Sequence, residues 1–378
     1  MSPLATPAPT ITNTKLAQQA IAAISAAGCE YGDVRFCHDR KQNLMARDRS
    51  LQQLSDRTSA GFGVRVLWQG AWGFAASPHR TPAEVARVVA LAVEVAKGSL
   101  LTQREPVRLA PVATYRDTYT TPIEVDPFSI PVETKAELLL SLTDGLLTQP
   151  GAVKKAYAFL RCSREEKLFA STEGAFIEQT LYRTFPGFGC TAISDGDAQS
   201  RSYERPPRNC GYEWVDTVDL QAQVARVAAE ANEKVRAPEA PARNDATLII
   251  KPSNLYLTIH ESVGHPTELD RVFGYEANFA GTSFATTDGL GCLKYGAPWV
   301  NFKADRTQLG GRSTVAYDDE GVPAQDWYVV KDGILSDYLT DRETAHRLGR
   351  PSSNGCAFAD SWASVPMVRD LNLESAPS

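Results

Sequence analysis

The stretch Val64-Arg65-Val66-Leu67-Trp68-Gln69-Gly70-Ala71-Trp72-Gly73-Phe74 contains two runs of β-favouring residues on either side of the pair Gln69-Gly70. Side chains along a strand point alternately to its two faces, and the period-two pattern of the surrounding region fits that geometry. A two-residue connection that includes glycine is typical of a tight hairpin turn. We therefore predict two antiparallel strands in residues 64–74.

Amphipathic helices are predicted on both sides of this hairpin. Thr81, Pro82 and Glu84 have the residue types of a helix N-cap, a first-turn proline and a capping-box partner. Helical spacing then gives one apolar stripe, formed by Val85, Val88, Val89, Ala92, Val95 and Ala96. An earlier helix is predicted over residues 14–27, closed by Gly28. Helices with one apolar face next to antiparallel strands indicate an α+β fold in which helices cover the sheets.

The rest of the chain continues this pattern in further units. The predicted elements are helices at 133–148 and 219–235, strands at 157–160, 168–170, 176–182 and 247–250, and a hairpin at 329–335 around Asp332-Gly333. Two prolines between residues 237 and 243 mark the main boundary. We predict a multi-domain α+β protein rich in antiparallel sheet, with an N-terminal α+β domain (1–115), a middle α+β domain (116–236) and a C-terminal domain (244–378).

Composition excludes several classes of protein. The 378 residues are 43% hydrophobic and 22% charged, which is ordinary for a globular chain. A net charge of −6 disfavours a nucleic-acid partner. Neither a signal peptide nor an apolar run of the ~20 residues that a bilayer requires is present, so we expect a cytoplasmic protein without a membrane partner. The seven cysteines lack CxxC spacing and are expected to be reduced thiols.

The segment His260-Glu261-Ser262-Val263-Gly264-His265 carries the clearest chemical signal. Zinc hydrolases use two histidines on one helix face with a glutamate after the first, but those histidines are four residues apart. Five residues would place the imidazoles about 140° apart on an ideal α-helix. A π-bulge near Gly264 would return both rings to one face. The alternative is that His260 is a core histidine and that His265 caps the C-terminal end of the helix.

The sequence resembles the TldD/PmbA family, also named modulator-of-DNA-gyrase-like. The resemblance rests on His260-Glu261-Ser262-Val263-Gly264-His265 with Pro266-Thr267-Glu268, on Asn278-Phe279-Ala280-Gly281-Thr282-Ser283, and on Tyr317-Asp318-Asp319-Glu320-Gly321-Val322-Pro323. Segments 61–66 and 73–76 also look like that family, and the similarity runs from about residue 15 to the end of the chain. The family's old name suggests a DNA-associated role, which the acidic charge disfavours.

This resemblance implies a cytoplasmic zinc peptidase of the TldD type that hydrolyses unfolded or short peptides inside a dimeric chamber. His260 and His265 would be the zinc ligands and Glu261 the general base, with Zn²⁺ as the cofactor. The chamber would be a homodimer or a heterodimer with a TldE/PmbA-like protein. The alternative function is that of a non-catalytic TldE/PmbA-like partner subunit or a truncated inactive homologue.

The sequence departs from the family at its third zinc ligand. In TldD proteins this ligand is a cysteine in a segment that follows the region ending here, so we expect residues 244–378 to be a metallopeptidase domain without its C-terminal segment. Cys292, Cys356, Glu268 and His346 are chemically able to coordinate zinc, but no spacing selects one of them, and for each the favoured interpretation is a packed thiol or a solvated side chain. We also expect an exposed apolar surface near residues 329–339.

Overall fold

A computed structural model describes residues 11–204, 206–217, 219–240, 245–369 and 372–375. Its α-helices are α1 (Ile11–Ala26), α2 (Pro82–Leu100), α3 (Val132–Thr148), α4 (Glu213–Asp216), α5 (Leu220–Lys234), α6 (Pro252–Ile259), α7 (Leu269–Val272) and α8 (Arg342–Arg347). Its strands are β1 (Tyr31–Arg47), β2 (Ser50–Trp68), β3 (Ala71–Ser77), β4 (Arg116–Thr120), β5 (Val153–Ser171), β6 (Phe176–Ser194), β7 (Asp197–Glu204), β8 (Phe302–Asp305), β9 (Asp326–Lys331), β10 (Ile334–Leu335), β11 (Ala357–Phe358), β12 (Met367–Val368) and β13 (Leu373–Ser375). One π-helical turn and two 3₁₀ turns lie between residues 260 and 289.

A seven-stranded sheet in the order β3-β2-β1-β5-β6-β4, with β7 also paired to β6, forms the centre of the first two thirds of the chain. Every pair in it is antiparallel except β4 with β6. The C-terminal third contains a four-stranded antiparallel sheet, β10-β9-β8-β13, and the two-stranded pair β11-β12. The predicted α+β class with antiparallel-rich sheets is confirmed.

The hairpin of residues 64–74 is present in the predicted register. Trp68 pairs with Ala71, and Gln69 and Gly70 both have positive φ values, 50° and 77°, as a type I′ turn requires. Gly73 lies where α2 crosses the hairpin, because a Cβ added there would be 2.0 Å from the carbonyl oxygen of Ala92. The hairpin and the helix that covers it are therefore in direct backbone contact.

Helices cover one face of the large sheet in two clusters. The first cluster joins α1 and α2 to β1, β2 and β3 through residues such as Ile24, Phe36 and Val88. The second joins α3 and α5 to β1, β5 and β6 through residues such as Leu139 and Leu160. Thr81 caps α2 and Asp219 caps α5. The inward face of α2 contains five of the six predicted residues, but the prediction for Val95 is wrong, since it is 40% exposed and Val93 is buried instead.

The opposite face of the sheet carries buried charges that meet the C-terminal third of the chain. Arg65 of β2 contacts Asp33 of β1 at 2.7 Å and Glu320 at 2.9 Å. Arg35 of β1 and the carboxylate of Asp319 are 3.5 Å apart, and both side chains are at most 4% exposed. Asp319 and Glu320, in the segment 317–323, thus form an ionic joint between the sheet and the C-terminal third.

Three further local predictions are wrong. The strands predicted at 157–160 and 168–170 are parts of one continuous strand, β5. Residues 247–250 form no strand, and Leu248 and Ile249 are 79% and 88% exposed. The apolar surface expected near residues 329–339 is instead core, since Val329, Leu335 and Leu339 are at most 1% exposed.

The large sheet joins strands from both of the first two predicted domains, because β1 pairs with β5. The division into three domains stays a prediction, and part of its boundary, residues 241–244, lies outside the described residues. Among the helices of the described part, none has the length and apolarity needed to cross a bilayer.

Candidate metal centre

Helix α6 leads directly into the segment His260–His265. The helix begins with Pro252 in its first turn and ends at Ile259, where the chain continues as a π-helical turn over His260–Gly264. The backbone N–H of His265 donates to the carbonyl oxygen of His260, which is the i→i+5 bond of a π-helix. The π-bulge predicted from the five-residue spacing is confirmed.

The π-helical turn brings together three side chains whose atoms could hold a metal ion. One donor atom from each of His260, Glu261 and His265 lies within 4.8 Å of the other two. The imidazole centroids of the two histidines are 4.3 Å apart. His260 and Glu261 are exposed and His265 is half-buried, so the alternative of a core histidine at position 260 is wrong.

One side chain distant in sequence and one nearby stabilise this turn. A π-helical turn leaves carbonyl oxygens without their usual helical donors. The Tyr295 hydroxyl donates to the carbonyl oxygen of Ser262 at 2.6 Å. The buried Thr267 hydroxyl lies 2.7 Å from the carbonyl oxygen of Val263 and 3.1 Å from that of Gly264. No local sequence pattern marks Tyr295 as part of this turn, since it lies 33 residues from its partner.

Partial desolvation shifts the pKa values of the two imidazoles. It lowers the pKa of His260, and the neighbouring His265 lowers it further. It also lowers the pKa of His265, where Arg271 adds to the effect. A histidine binds a metal ion only through a nitrogen that carries no proton. Both rings are therefore shifted toward the form that can act as a ligand.

Glu268 contacts His265 from the buried side. Its carboxylate is 3.0 Å from His265 Nδ1 and forms ion pairs with Arg271 at 2.9 Å and Arg369 at 3.0 Å. Burial raises the pKa of Glu268, but the guanidinium groups of Arg369 and Arg271, at 3.0 Å or less, oppose that shift and favour the carboxylate form. Glu276 pairs with the same two arginines. The result is a buried group of two arginines and two carboxylates behind the exposed cluster.

The other possible ligands named from the sequence lie elsewhere. The Sγ of Cys292 is 3.3 Å from the carbonyl oxygen of Asp288, on an exposed turn. Cys356 is fully buried in the apolar core beneath the motif, and burial raises its thiol pKa to about 12. His346 is an exposed residue of α8. Within the described ranges, neither these residues nor Glu268 join the close group formed by His260, Glu261 and His265.

The donor set fits a divalent transition metal. Two imidazoles and an adjacent carboxylate are the residue types that zinc binds or uses in catalytic sites. Catalytic zinc keeps one position open, so an exposed cluster is compatible with such a site.

Comparison with known sequences places the chain in a family. Three family profiles match successive parts of it: PmbA/TldA metallopeptidase domain 1 at residues 32–96, the central domain at 125–237 and the C-terminal domain at 243–378. The chain belongs to the PmbA/TldD metallopeptidase family. The resemblance stated from the sequence is confirmed.

Relatives of this PmbA/TldD chain are named metalloproteases. It is 25% identical to metalloprotease MJ0996 of Methanocaldococcus jannaschii over 92% of this chain and 74% of that protein. It is 27% identical to a zinc metalloprotease TldD homologue of Saccharolobus solfataricus, over 36% of this chain and 29% of that one.

Solved structures confirm the fold. A putative modulator of a DNA gyrase from Thermotoga maritima superposes with a TM-score of 0.73 at 18% identity, covering 97% of this chain and 78% of that one. TldE from Thermococcus kodakarensis gives a TM-score of 0.68 at 13% identity, covering 96% and 77%.

Proposed function

We propose that this chain is a zinc-dependent peptidase of the TldD type that hydrolyses unfolded or short peptides inside a chamber formed by two chains. The observation that carries the proposal is the convergence of His260, Glu261 and His265 on one π-helical turn. The metallopeptidase family and the name of the S. solfataricus relative support zinc as the ion.

The roles of the three residues follow from their chemistry. His260 and His265 would hold the ion through neutral imidazole nitrogens. When bound, zinc supplies Lewis-acid polarisation of a carbonyl and a water of lowered pKa. Glu261 is exposed beside them, and its carboxylate accepts the proton of the attacking water and passes it to the leaving amine. Catalytic zinc usually has three protein ligands, so the proposal includes a third ligand besides the two histidines.

A test of these roles separates metal binding from chemistry. Glu261→Gln is expected to keep zinc and to lose about 10²–10⁴-fold in turnover of a fluorogenic peptide, because an amide keeps the size of the side chain but accepts no proton. His265→Asn is expected to lose zinc itself. Glu94→Gln, an exposed change on α2, serves as the control. Retention of turnover within about threefold in Glu261→Gln would exclude this glutamate as the base.

The exposure of the site supports enclosure by a second chain. Tyr256 and Leu257, in the helix that leads into the motif, are 67% and 50% exposed. A peptidase site this open needs a cover if it is to spare folded proteins, and a two-chain chamber provides one. The partner would be a second copy or a TldE/PmbA-like protein, and the compartment would be the cytoplasm.

The chamber has its own test. Light scattering at micromolar concentration is expected to give a dimer, alone or with a TldE/PmbA-like chain. The active assembly should cleave unfolded casein but leave a folded protein intact. A monomer that cleaves both equally well would contradict the chamber.

A second candidate function is that of a non-catalytic partner subunit, which the similarity of the fold to TldE favours. Elemental analysis distinguishes the two functions. A partner subunit would contain no stoichiometric zinc and would show no hydrolysis alone, yet would bind a catalytic TldD-like chain. Stoichiometric zinc together with hydrolysis lost in Glu261→Gln would exclude that role.

A further inference from the structure

Backbone hydrogen bonds on either side of Glu268 fix the position of this residue. It follows the 3₁₀ turn His265–Thr267 and adopts an extended conformation, with φ −67° and ψ 113°. It forms a β-bridge with Leu339. The N–H of Leu269 donates to the carbonyl oxygen of Leu339 at 3.0 Å, and the N–H of Leu339 donates to the carbonyl oxygen of Thr267 at 2.9 Å. The carboxylate is therefore fixed relative to His265, three residues earlier.

The side chain of Glu268 is a buried acceptor shared by one imidazole and two guanidinium groups. The residue is 3% exposed. Its Oε1 is 3.0 Å from His265 Nδ1, and its Oε2 is 3.0 Å from Arg271 Nε and 3.0 Å from Arg369 Nη1. Two guanidinium groups that can only donate require an acceptor between them.

Two neighbours compete for His265 Nδ1, and they imply opposite tautomers. If Nδ1 carries the proton, it donates to Glu268. If Nδ1 is bare, it accepts from Arg271 Nη2, which is 3.3 Å away. The contact to Glu268 is shorter, and Arg271 Nη2 already pairs with Glu268 at 2.9 Å and with Glu276 at 3.1 Å. The protonated Nδ1 is therefore favoured, and the lone pair remains on Nε2.

We propose that Glu268 is a positioning residue that holds His265 as the Nδ1–H tautomer and so presents the bare Nε2 to a metal ion. This inference rests on the proposed zinc function. A carboxylate behind a metal-binding histidine fixes the ring and increases its strength as a ligand, and loss of such a partner typically costs 10–100-fold in metal affinity. Glu268 thus acts from behind the ligand rather than as the third ligand considered from the sequence.

The variant Glu268→Gln tests this role, and Glu276→Gln is its matched control. Glu276 is equally buried, at 3% exposure, and pairs with the same two arginines. The described contacts of Glu276 include no hydrogen bond to His265. Both variants replace a buried carboxylate with an amide of the same size, so the cost to the arginine pairs is common to them.

Two measurements are needed. Long-range ¹H–¹⁵N NMR on the metal-free protein, with His265→Asn used to assign the signals, reports the tautomer of His265. We expect Nδ1–H in the parent and in Glu276→Gln. Competition with a chelator reports zinc affinity, and we expect the dissociation constant to rise 10–100-fold in Glu268→Gln and to stay within about threefold in Glu276→Gln.

The outcomes are distinguishable. An Nε2–H tautomer in the parent protein overturns the inference, and this result needs no folded variant. Equal zinc affinities in the two variants also overturn it. A parent protein with the Nδ1–H tautomer that binds no zinc refutes the proposed function, while the orientation of His265 by Glu268 stands.

Discussion

Removal of the Asp319 carboxylate is expected to destabilise the protein through the buried ionic joint. Its Oδ1 is 2.9 Å from Lys167 Nζ and its Oδ2 is 3.5 Å from Arg35 Nη1, and it also accepts from the N–H of Ala359 at 2.8 Å. Asp319→Ala leaves these donors in a site from which water is nearly excluded. Breaking a buried ion pair by deleting one partner costs about 3–5 kcal/mol.

The lower end of that range applies here. Lys167 keeps a second carboxylate, Glu165, at 3.2 Å, and Arg35 still donates to the carbonyl oxygen of Ser364 at 2.7 Å. Neither cation is left without an acceptor. We therefore expect Asp319→Ala to lower the free energy of unfolding by about 3 kcal/mol.

The assay is urea unfolding at 25 °C, followed by circular dichroism, with Asp144→Ala as the control. Asp144 pairs with Arg49 at 2.6 Å, but both side chains are more than half exposed, so its loss should cost less than about 1 kcal/mol. If Asp319→Ala costs no more than Asp144→Ala, the ionic joint does not stabilise the fold.

The pH dependence of the same variant gives an independent check. Burial alone would raise the pKa of Asp319, but Lys167 and Arg35 outweigh it and hold the pKa below its usual range. The carboxylate therefore stabilises the fold above about pH 4 and loses that effect as the pH falls through its lowered pKa. The stability gap between the parent and Asp319→Ala should narrow in acid. A gap that is constant from pH 7 to pH 2 would contradict the assignment.

Three further predictions concern other parts of the molecule. Tyr295→Phe removes the donor that holds the π-helical turn, worth about 1 kcal/mol, and should raise the zinc dissociation constant up to about fivefold. The control Tyr338→Phe removes hydroxyl hydrogen bonds to carbonyl oxygens outside the turn and should leave the zinc dissociation constant unchanged. Equal zinc dissociation constants for the two variants would contradict the role of Tyr295. Burial raises the pKa of Asp341 to about 8, so the free energy of unfolding of the parent should fall as the pH rises from about 4 to 8. Asp341→Asn should abolish this pH dependence and still cap α8. An unchanged slope in thermal unfolding would refute this. Gly73→Ala forces β3 away from α2 and should lower the free energy of unfolding by about 3 kcal/mol or more. Gly98→Ala, in open space on the same helix, should be neutral or slightly stabilising. Similar melting temperatures for the two variants would contradict the close contact at Gly73.

Local patterns predicted the parts of the fold that depend on neighbouring residues. The turn at Gln69-Gly70 and the cap at Thr81 need only a few adjacent side chains, and both are present. The sequence pattern predicts two strands where the structure has β5, because charged residues such as Glu165 and Lys167 interrupt the apolar run. Those charges are satisfied by residues such as Asp319, more than a hundred positions away, which no local pattern can reveal.

In the candidate site, too, local sequence patterns predict the local geometry but not the contacts between distant residues. The spacing of His260 and His265 was enough to predict the π-bulge, because helix geometry alone decides where two side chains on one segment point. Glu268 was recognised as chemically able to bind metal, but its contact with His265 Nδ1 depends on the arginines that surround it. Leu248 and Ile249 were predicted as a strand from apolarity alone, and the structure pairs them with no neighbouring strand.

The position of β1 in the middle of the large sheet has a consequence for how the chain folds. It pairs along its length with β2 on one side and with β5 on the other. During synthesis β2 can pair with β1, and β3 with β2, at once, but the other edge of β1 has no partner until α2, β4, α3 and then β5 have been made. An unpaired edge of that length is a template for aggregation, and pairing across so long a segment is slow. The emerging N-terminal strands therefore expose this edge to aggregation until β5 is made, and a fragment that ends before β5 would keep the exposed edge permanently.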